Sequence, residues 1–438
     1  SISYLVSMIL KYISIPELDF SLSLQKGWTK FKELKNFDKY MTFFWILGPF
    51  VYLIERDPAD LWLTLICIIF LIRCFFKKIW SWTTQPWFKC SLALWMFGIF
   101  SAITGPDPIF SFQQGFVWIR FPLYAAAAQV WLARDRDIRV VMLLSMLIGM
   151  IIMSVILIAE TVIEPKLRLT WPYGDLIPGS YLIKFSLPLF CVLIAIAVSR
   201  NNMASLFSGL IGILSIVVSI LTGERTNFLI RACSGMIAGL VWKPKFIIYF
   251  TLIIIEILAV LSIIYLRPDL YNSFGKRFLD HVPVINNSET NPHWGTWRSG
   301  IQQGLLTPIK GVGPSGTRNS CKDLNERSPQ WLPGKNYCFN HPHNFYIQLF
   351  AETGLIGLLL GCLLFVSIIS TCLKARRENL SCPMSATAFI VPLAFFFPLQ
   401  QFGSFYGQWG NLFIWFALGF SISQYQGWRS SNNKFEET

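Results

Sequence analysis

The chain has 438 residues, 54% of them hydrophobic and only 14% charged, with a formal net charge of +13 and a mean hydropathy of +0.51. That balance argues against a string of soluble domains and for one polytopic integral membrane domain. The basic excess sits in short clusters between apolar runs, where it acts as a topology signal. No basic and aromatic platform of the nucleic-acid-binding kind accompanies it, so no nucleic-acid partner is expected.

In chain order, Ile2 to Ile13 form a modest apolar run followed by Pro16 and acidic residues. This lacks the basic front and small-residue cleavage site of a secretory signal and reads as an interfacial or partial helix. A membrane span needs about 20 apolar residues. Runs meeting or approaching that length lie at 40–54, 61–76, 88–104, 116–132, 140–163, 181–198, 206–222, 226–241, 246–265, 345–372, 383–400 and 411–425. The fold class is therefore all-α, with about 12 transmembrane helices and one large loop outside the cytoplasm, from Leu266 to Asn344.

Short loops rich in Lys and Arg stay cytoplasmic. Alternate connections carry most of these residues, including Lys26 to Lys39, Lys77, Lys78, Arg134 to Arg139, Lys243, Lys245, Lys374 to Arg377, Arg429 and Lys434. Both termini are placed in the cytoplasm by this rule, and the long loop outside it. The predicted organisation is an N-terminal cytoplasmic or interfacial segment (1–39), a single membrane domain (40–425) that includes the 266–344 loop, and a cytoplasmic tail (426–438).

Charges inside apolar runs are costly and face a cavity or a partner. Arg120, Arg231, Glu160 and Glu256 are of this kind, with structural ion pairing as the plainer account. Arg225, in Thr222-Gly223-Glu224-Arg225-Thr226, falls on a short exterior turn, where a guanidinium could grip a phosphate in bidentate fashion. An ordinary pair with Glu224 is the competing account.

All four histidines, His281, His293, His341 and His343, fall in the long loop or at its end. That loop has too few periodic apolar residues for an independent domain, although Trp294 to Leu306 is predicted to form a short amphipathic helix. Cys321 and Cys338 are its only cysteines. Outside the cytoplasm they are expected to pair and close a loop of about 17 residues, contributing roughly 3 kcal/mol in the chain-entropy model. Gly311-Val312-Gly313-Pro314-Ser315-Gly316 looks like a phosphate loop but lacks the Gly-Lys-Ser/Thr before a helix, so it reads as a turn and no nucleotide is implied. Four histidines also admit a zinc site, though no acidic ligand spacing accompanies them.

His341-Pro342-His343-Asn344 leads directly into the run at Phe345. Unpaired amides at a helix start favour anions, and an imidazole beside them titrates near neutral pH. His343 could thus take a proton from a hydroxyl while the helix end and arginines hold a pyrophosphate leaving group. Simple helix capping by His341 and His343 is the alternative.

Gly311-Val312-Gly313-Pro314, then His343-Asn344, nine residues, Gly354, two residues and Gly357, resemble the signature of the bacterial O-antigen ligase and Wzy polymerase superfamily. The wider phrase His341 to Leu349, followed by Ala351-Glu352-Thr353-Gly354-Leu355-Ile356-Gly357, adds to the likeness. It is close over about 50 residues, and the predicted spans and single large loop extend it loosely to the rest.

The resemblance implies a metal- and nucleotide-independent membrane glycosyltransferase with a GT-C-like fold in the bacterial inner membrane, its active site facing the periplasm. The donor would be an undecaprenyl-pyrophosphate-linked glycan and no cofactor is implied. The acceptor would be lipid A-core for a ligase or another lipid-linked glycan for a polymerase, with membrane lipids as surroundings. His343 would activate the acceptor hydroxyl and Arg225 would neutralise the diphosphate. A second family arginine, upstream of the Gly-x-Gly turn, has no clear match here. His293 stands four residues before Trp297, and Arg277, Arg298 and Arg318 are the candidates. His341, Asn344 and Arg120 complete the expected substrate-binding set. The ligase is the first choice, the polymerase the second, and a lipid-linked glycan transporter or flippase lined by Arg120, Glu160 and Glu256 the alternative of another class.

Overall fold

A computed structural model describes residues 20–164, 166, 168–175, 177–199, 203–266, 292–320, 341–400 and 403–429. Among these residues all regular structure is helical. The chain runs through α1 (Phe20–Glu33), α2 (Asn36–Ile46), α3 (Gly48–Ile54), α4 (Arg56–Lys77), α5 (Pro86–Ile103), α6 (Pro108–Trp118) and α7 (Arg120–Ala127), which continues as a π-turn, Ala128–Leu132. Then come α8 (Arg136–Ile163), a π-turn (Ser180–Phe185), α9 (Leu187–Ser199), α10 (Met203–Leu221), α11 (Arg225–Val241) and α12 (Phe246–Leu266). α13 (Pro292–Leu306), α14 (Thr317–Ser320), α15 (Phe345–Glu378), α16 (Pro383–Thr387), α17 (Ile390–Phe395) and α18 (Gln408–Ile422) complete it.

Each predicted apolar run is largely helical. Among the described residues six helices are by themselves long and apolar enough to cross a membrane, namely Arg56–Lys77, Pro86–Ile103, Arg136–Ile163, Met203–Leu221, Phe246–Ile263 and Phe345–Glu378. Three shorter apolar helices accompany them, Leu187–Ser199, Thr226–Val241 and Pro383–Phe395. The protein is a polytopic membrane protein. Its exposed surface fits a lipid solvent, since helix α12 buries only 6% of its apolar window and shows Ile247, Phe250, Ile254 and Leu258 on the outside.

Boundaries follow local chemistry. The Asp107 side chain accepts from Phe110 N, and Pro108 supplies a first helical residue with no amide to satisfy. The Asp135 carboxylate accepts from Asp137 N and starts α8. α4 stops at Lys78, which takes a left-handed conformation at φ 55°.

Helix α9 is buried along its whole length. Beside it, the π-turn brings Tyr181 and Phe185 against α3 and α18. The Phe185 and Phe416 rings stack at 4.1 Å, and Tyr52 stands 4.9 Å from Phe185. Such rings combine a large apolar area with a polar tip that needs a partner. Each tip has one, with Tyr52 OH donating to Leu412 O at 3.1 Å and Tyr181 OH to Pro49 O at 2.7 Å.

The charges inside apolar runs are mostly engaged locally. Arg120 forms an ion pair with Asp60 at 2.6 Å and donates to Thr64 Oγ1 at 3.1 Å, joining α7 to α4. Glu160 is fully buried and accepts from Thr170 N, Thr170 Oγ1 and Trp171 N at 2.8–2.9 Å, clamping the segment after α8. Arg231 donates to Leu182 O at 2.7 Å and to the Ser215 hydroxyl, with its guanidinium carbon 4.3 Å from the Phe190 ring. At the basic end of the bundle, Lys30 of α1 reaches Asp135 and Asp137, both at 2.8 Å.

Candidate functional site

The site is built where α15 begins. Asn344 is extended (φ −143°, ψ 124°), and its Oδ1 accepts from Tyr346 N at 3.0 Å and Ile347 N at 3.2 Å, satisfying two amides of the first turn. Its Nδ2 donates to Pro398 O at 2.6 Å, which ties the cap to the segment before α18. His343 precedes the cap at φ 56°, a left-handed conformation uncommon outside glycine. Strained backbone of this kind clusters at functional sites. The ring of His341 meets that of His343 edge-on, with centroids 4.3 Å apart.

His341 is half-buried, and its Nε2 is enclosed without a hydrogen-bond partner among the described residues. Burial first, then neighbouring His343 and the charge of Arg318, push its pKa down to about 3. The ring is neutral at neutral pH. Simple capping by the histidines is not what α15 uses, because Asn344 takes that role.

Ten residues after Asn344, the helix breaks. Gly354 has φ 63° and ψ −167°, a region open only to glycine, and splits α15 into a short arm, 345–353, and a long arm, 355–378. The long arm alone, at about 1.5 Å per residue, is sufficient to span a bilayer. The break frees the backbone of the arm's last residues. Val312 N donates to Ala351 O at 3.1 Å, Gly313 N to Glu352 O at 2.8 Å and Leu355 N to Pro308 O at 2.7 Å. The Gly-rich turn thus docks on the kink through main-chain bonds. A Cβ at Gly354 would fall against the Ile309 carbonyl and 2.7 Å from Lys310 N, and one at Gly311 (φ 68°) against the backbone of Glu352 and Thr353. Helix α5 supports the junction, with Ser101 Oγ donating to Glu352 O at 2.8 Å.

A buried carboxylate of α15 takes two further donors of the stretch that follows the turn. Glu352 is fully buried and accepts from Ser315 N at 2.8 Å, Thr317 Oγ1 at 2.7 Å and Gln348 Nε2 at 3.0 Å. Gln348 is itself fixed, donating to Ser404 Oγ at 2.8 Å and accepting from Phe405 N at 2.7 Å.

The expected amphipathic segment Trp294 to Leu306 is helical within α13, but its inner face is polar. Thr296, Arg298, Ser299, Gln302 and Gln303 are buried, and Gly300 and Gly304 form a notch against Pro342, Ile347 and Phe350. Close packing on the short arm of α15, rather than an apolar stripe, fixes this helix. Arg298 faces that packed side, where burial lowers its pKa.

The structure brings His341, His343 and Asn344 together at the start of α15, with the helix that carries the buried Arg298 packed against it. Arg318 is exposed on α14, its guanidinium carbon 5.7 Å from the Phe110 ring. Arg120 is held by Asp60 instead. Arg225 is the first residue of α11 and His293 the second of α13, but their side chains lie outside the described residues, as do Arg277, Cys321 and Cys338 in full. The other eight cysteines are free thiols. No group of three or more His, Cys, Asp or Glu among the described residues is placed to hold a metal ion.

The roles of three residues escaped the sequence reasoning. Glu224 is turned onto Asn227 rather than outward, and burial raises its pKa against the charges of Lys184 and Arg168 and the Asn227 amide. Lys184, buried in the π-turn, donates to Ser180 Oγ at 3.2 Å. Glu352 is the third. Lys184 and Glu352 both interrupt apolar runs, the same signal that picked out Arg120 and Glu160.

No curated protein matches the chain. Residues 210–362 match the family model Wzy_C, described as O-antigen ligase, a stretch that takes in Arg225, the Gly311 turn, His343 and the Gly354 kink. Over those residues the chain is similar to the O-antigen ligase domain.

Proposed function

We propose that the protein is an O-antigen ligase of the bacterial inner membrane, transferring a glycan from undecaprenyl pyrophosphate to a sugar hydroxyl of lipid A-core in lipopolysaccharide assembly. The observation that carries this is the O-antigen ligase match over 210–362, whose span includes the corner where His343 sits in a strained conformation at a helix start. In this reading the site faces the periplasm and both termini face the cytoplasm.

His343 takes the proton of the acceptor hydroxyl as its oxygen attacks the anomeric carbon, and the polyprenyl pyrophosphate departs. Arg225 and a second cation hold the diphosphate, whose charge grows as the bond breaks. Direct displacement inverts the anomeric configuration, and a covalent glycosyl-enzyme would exclude it. The pyrophosphate leaving group drives transfer, so neither nucleotide nor metal is invoked.

A Wzy-type polymerase, adding the chain to another lipid-linked glycan, uses the same domain and is the second reading. The contacts of Arg120 with Asp60 and of Glu160 with Thr170 weigh against a transport path lined by those charges.

The test is transfer by purified protein in lipid, given undecaprenyl-pyrophosphate glycan and lipid A-core, comparing wild type with His343→Ala. Glycan on lipid A-core that requires His343 supports the ligase. Longer undecaprenyl-linked chains support the polymerase, and no product with either acceptor sinks both.

A further inference from the structure

We propose that Tyr173 and Trp409 form an aromatic platform that receives a pyranose ring of a glycan substrate. This rests on the glycan-transfer reading above and adds to it a sugar-binding site.

The two rings meet edge to face, with centroids 5.5 Å apart and planes at 86°. Both are half-buried. Each is fixed from the core side, with Tyr173 OH donating to Tyr52 O at 2.7 Å and the Trp409 ring 4.5 Å from that of Phe413. The segments that carry them are held as firmly. Buried Glu160 takes the amides of Thr170 and Trp171, and Asn411 Nδ2 donates to Phe405 O at 2.7 Å and to Gly407 O at 2.6 Å. Space is open next to both residues, since a Cβ at Gly174 or Gly410 would meet nothing within 4 Å. The indole N–H of Trp409 is neither enclosed nor bonded among the described residues.

A pyranose has a face of C–H groups and a rim of hydroxyls. The C–H face lies well on an aromatic ring, and the hydroxyls turn to polar groups at its edge. A rigid ring pair at a water boundary, with an N–H to offer, therefore suits a sugar. Half-buried Tyr and Trp also mark the bilayer–water interface. The place of these rings argues against that use. Tyr52 and Phe413, on which they rest, are fully buried, and α18 is buried at every residue from Asn411 to Ile422. The rings cover the end of the bundle's core rather than a lipid-facing side.

Both segments lead to the proposed centre. Beyond Tyr173 the chain reaches Gly179, where a Cβ would stand 2.9 Å from Asn227 Nδ2 and 3.0 Å from the carboxyl of Glu224, the residue before Arg225. Ahead of Trp409, Phe405 N donates to Gln348, and Pro398 O accepts from Asn344, the residue after His343. The platform thus joins the segment packed beside the Arg225 turn to the one tied to the His343 corner. A pyranose comes to that centre on either substrate, the donor glycan or the lipid A-core acceptor, and the experiment separates the two.

Binding to the full chain in lipid nanodiscs is measured with undecaprenyl-pyrophosphate glycan, undecaprenyl pyrophosphate without sugar, lipid A-core, and lipid A without core sugars. Trp409→Leu is expected to weaken a sugar-bearing ligand about three- to tenfold, the size of a lost aromatic contact, and to leave its sugar-free counterpart unchanged. Trp409→Phe, which keeps a ring face, should retain most of the affinity. Loss with the donor glycan assigns the platform to the donor, and loss with lipid A-core assigns it to the acceptor.

Fluorine NMR of wild type labelled with fluorotryptophan gives a reading that does not depend on the folding of the leucine variant. The Trp409 resonance, identified by its absence in Trp409→Phe, should shift with the same sugar-bearing ligand and stay in place with its sugar-free counterpart. Equal losses for sugar-bearing and sugar-free ligands would make Trp409 a lipid anchor. Unchanged affinities with an unshifted resonance would leave it a packing residue. Either result overturns the proposal while the ligase reading stands, whereas a wild type that binds neither sugar-bearing ligand would overturn both.

Discussion

Replacing Gly354 by alanine tests whether the break in α15 holds the site together. At φ 63° and ψ −167° an L side chain is strained by about 1–3 kcal/mol. The added Cβ would also meet the Ile309 carbonyl and Lys310 N, which are backbone and cannot swing aside. Relief requires the turn to move off, which gives up the bonds from Leu355 N to Pro308 O, Val312 N to Ala351 O and Gly313 N to Glu352 O. At about 1 kcal/mol each, these bring the local loss to about 4–6 kcal/mol. Hydrogen exchange read by mass spectrometry in detergent micelles should show protection at Val312, Gly313 and Leu355 falling by about a thousandfold or more, at about 1.4 kcal/mol per decade. Gly410→Ala is the control, since its Cβ meets nothing within 4 Å and should be neutral or slightly stabilising. Slow exchange persisting at all three amides in Gly354→Ala would refute the account of the signature as a lock between turn and kink.

Asn344→Ala removes acceptors for two amides and should cost about 1–2 kcal/mol, seen as a lowered thermal midpoint in detergent; a midpoint equal to wild type would mean another group caps α15. Arg120→Met leaves Asp60 without its ion-pair partner and should destabilise by about 3–5 kcal/mol, whereas Arg120→Met with Asp60→Leu should lose much less. If both variants lose the same, the charges are not coupled. His341 has a folded-state pKa near 3, against about 6.5 in an unfolded chain. As pH falls below about 6.5 the unfolded chain takes up a proton that the folded chain refuses, so stability is full above that pH and declines toward pH 3. His341→Phe should flatten this acid limb of the thermal midpoint, and an unchanged slope would remove His341 as its source. Arg225→Ala should raise the donor KM in the transfer assay at normal membrane abundance, and an unchanged KM would take Arg225 out of the site.

Membrane class, the apolar runs and the signature residues were legible in the sequence because each depends on local composition or spacing. A run such as 140–163 must be helical to satisfy its own backbone in lipid, wherever it lies in the bundle. His343, Asn344, Gly311 and Gly354 stood out by spacing, but the sequence could not say that the Asn344 side chain caps the helix or that Gly311 packs on the backbone of Glu352 and Gly354 on that of Ile309. Only the tertiary structure decided that Arg120 belongs to Asp60, that α13 packs through polar residues and glycines, and that Glu352 accepts from the Ser315 amide and the Thr317 hydroxyl. Those outcomes depend on which groups meet across long separations, such as residues 60 and 120 or 315 and 352. A buried polar side chain is read correctly only when its partner is known, because the same carboxylate that ends a span in isolation is stable once three donors surround it.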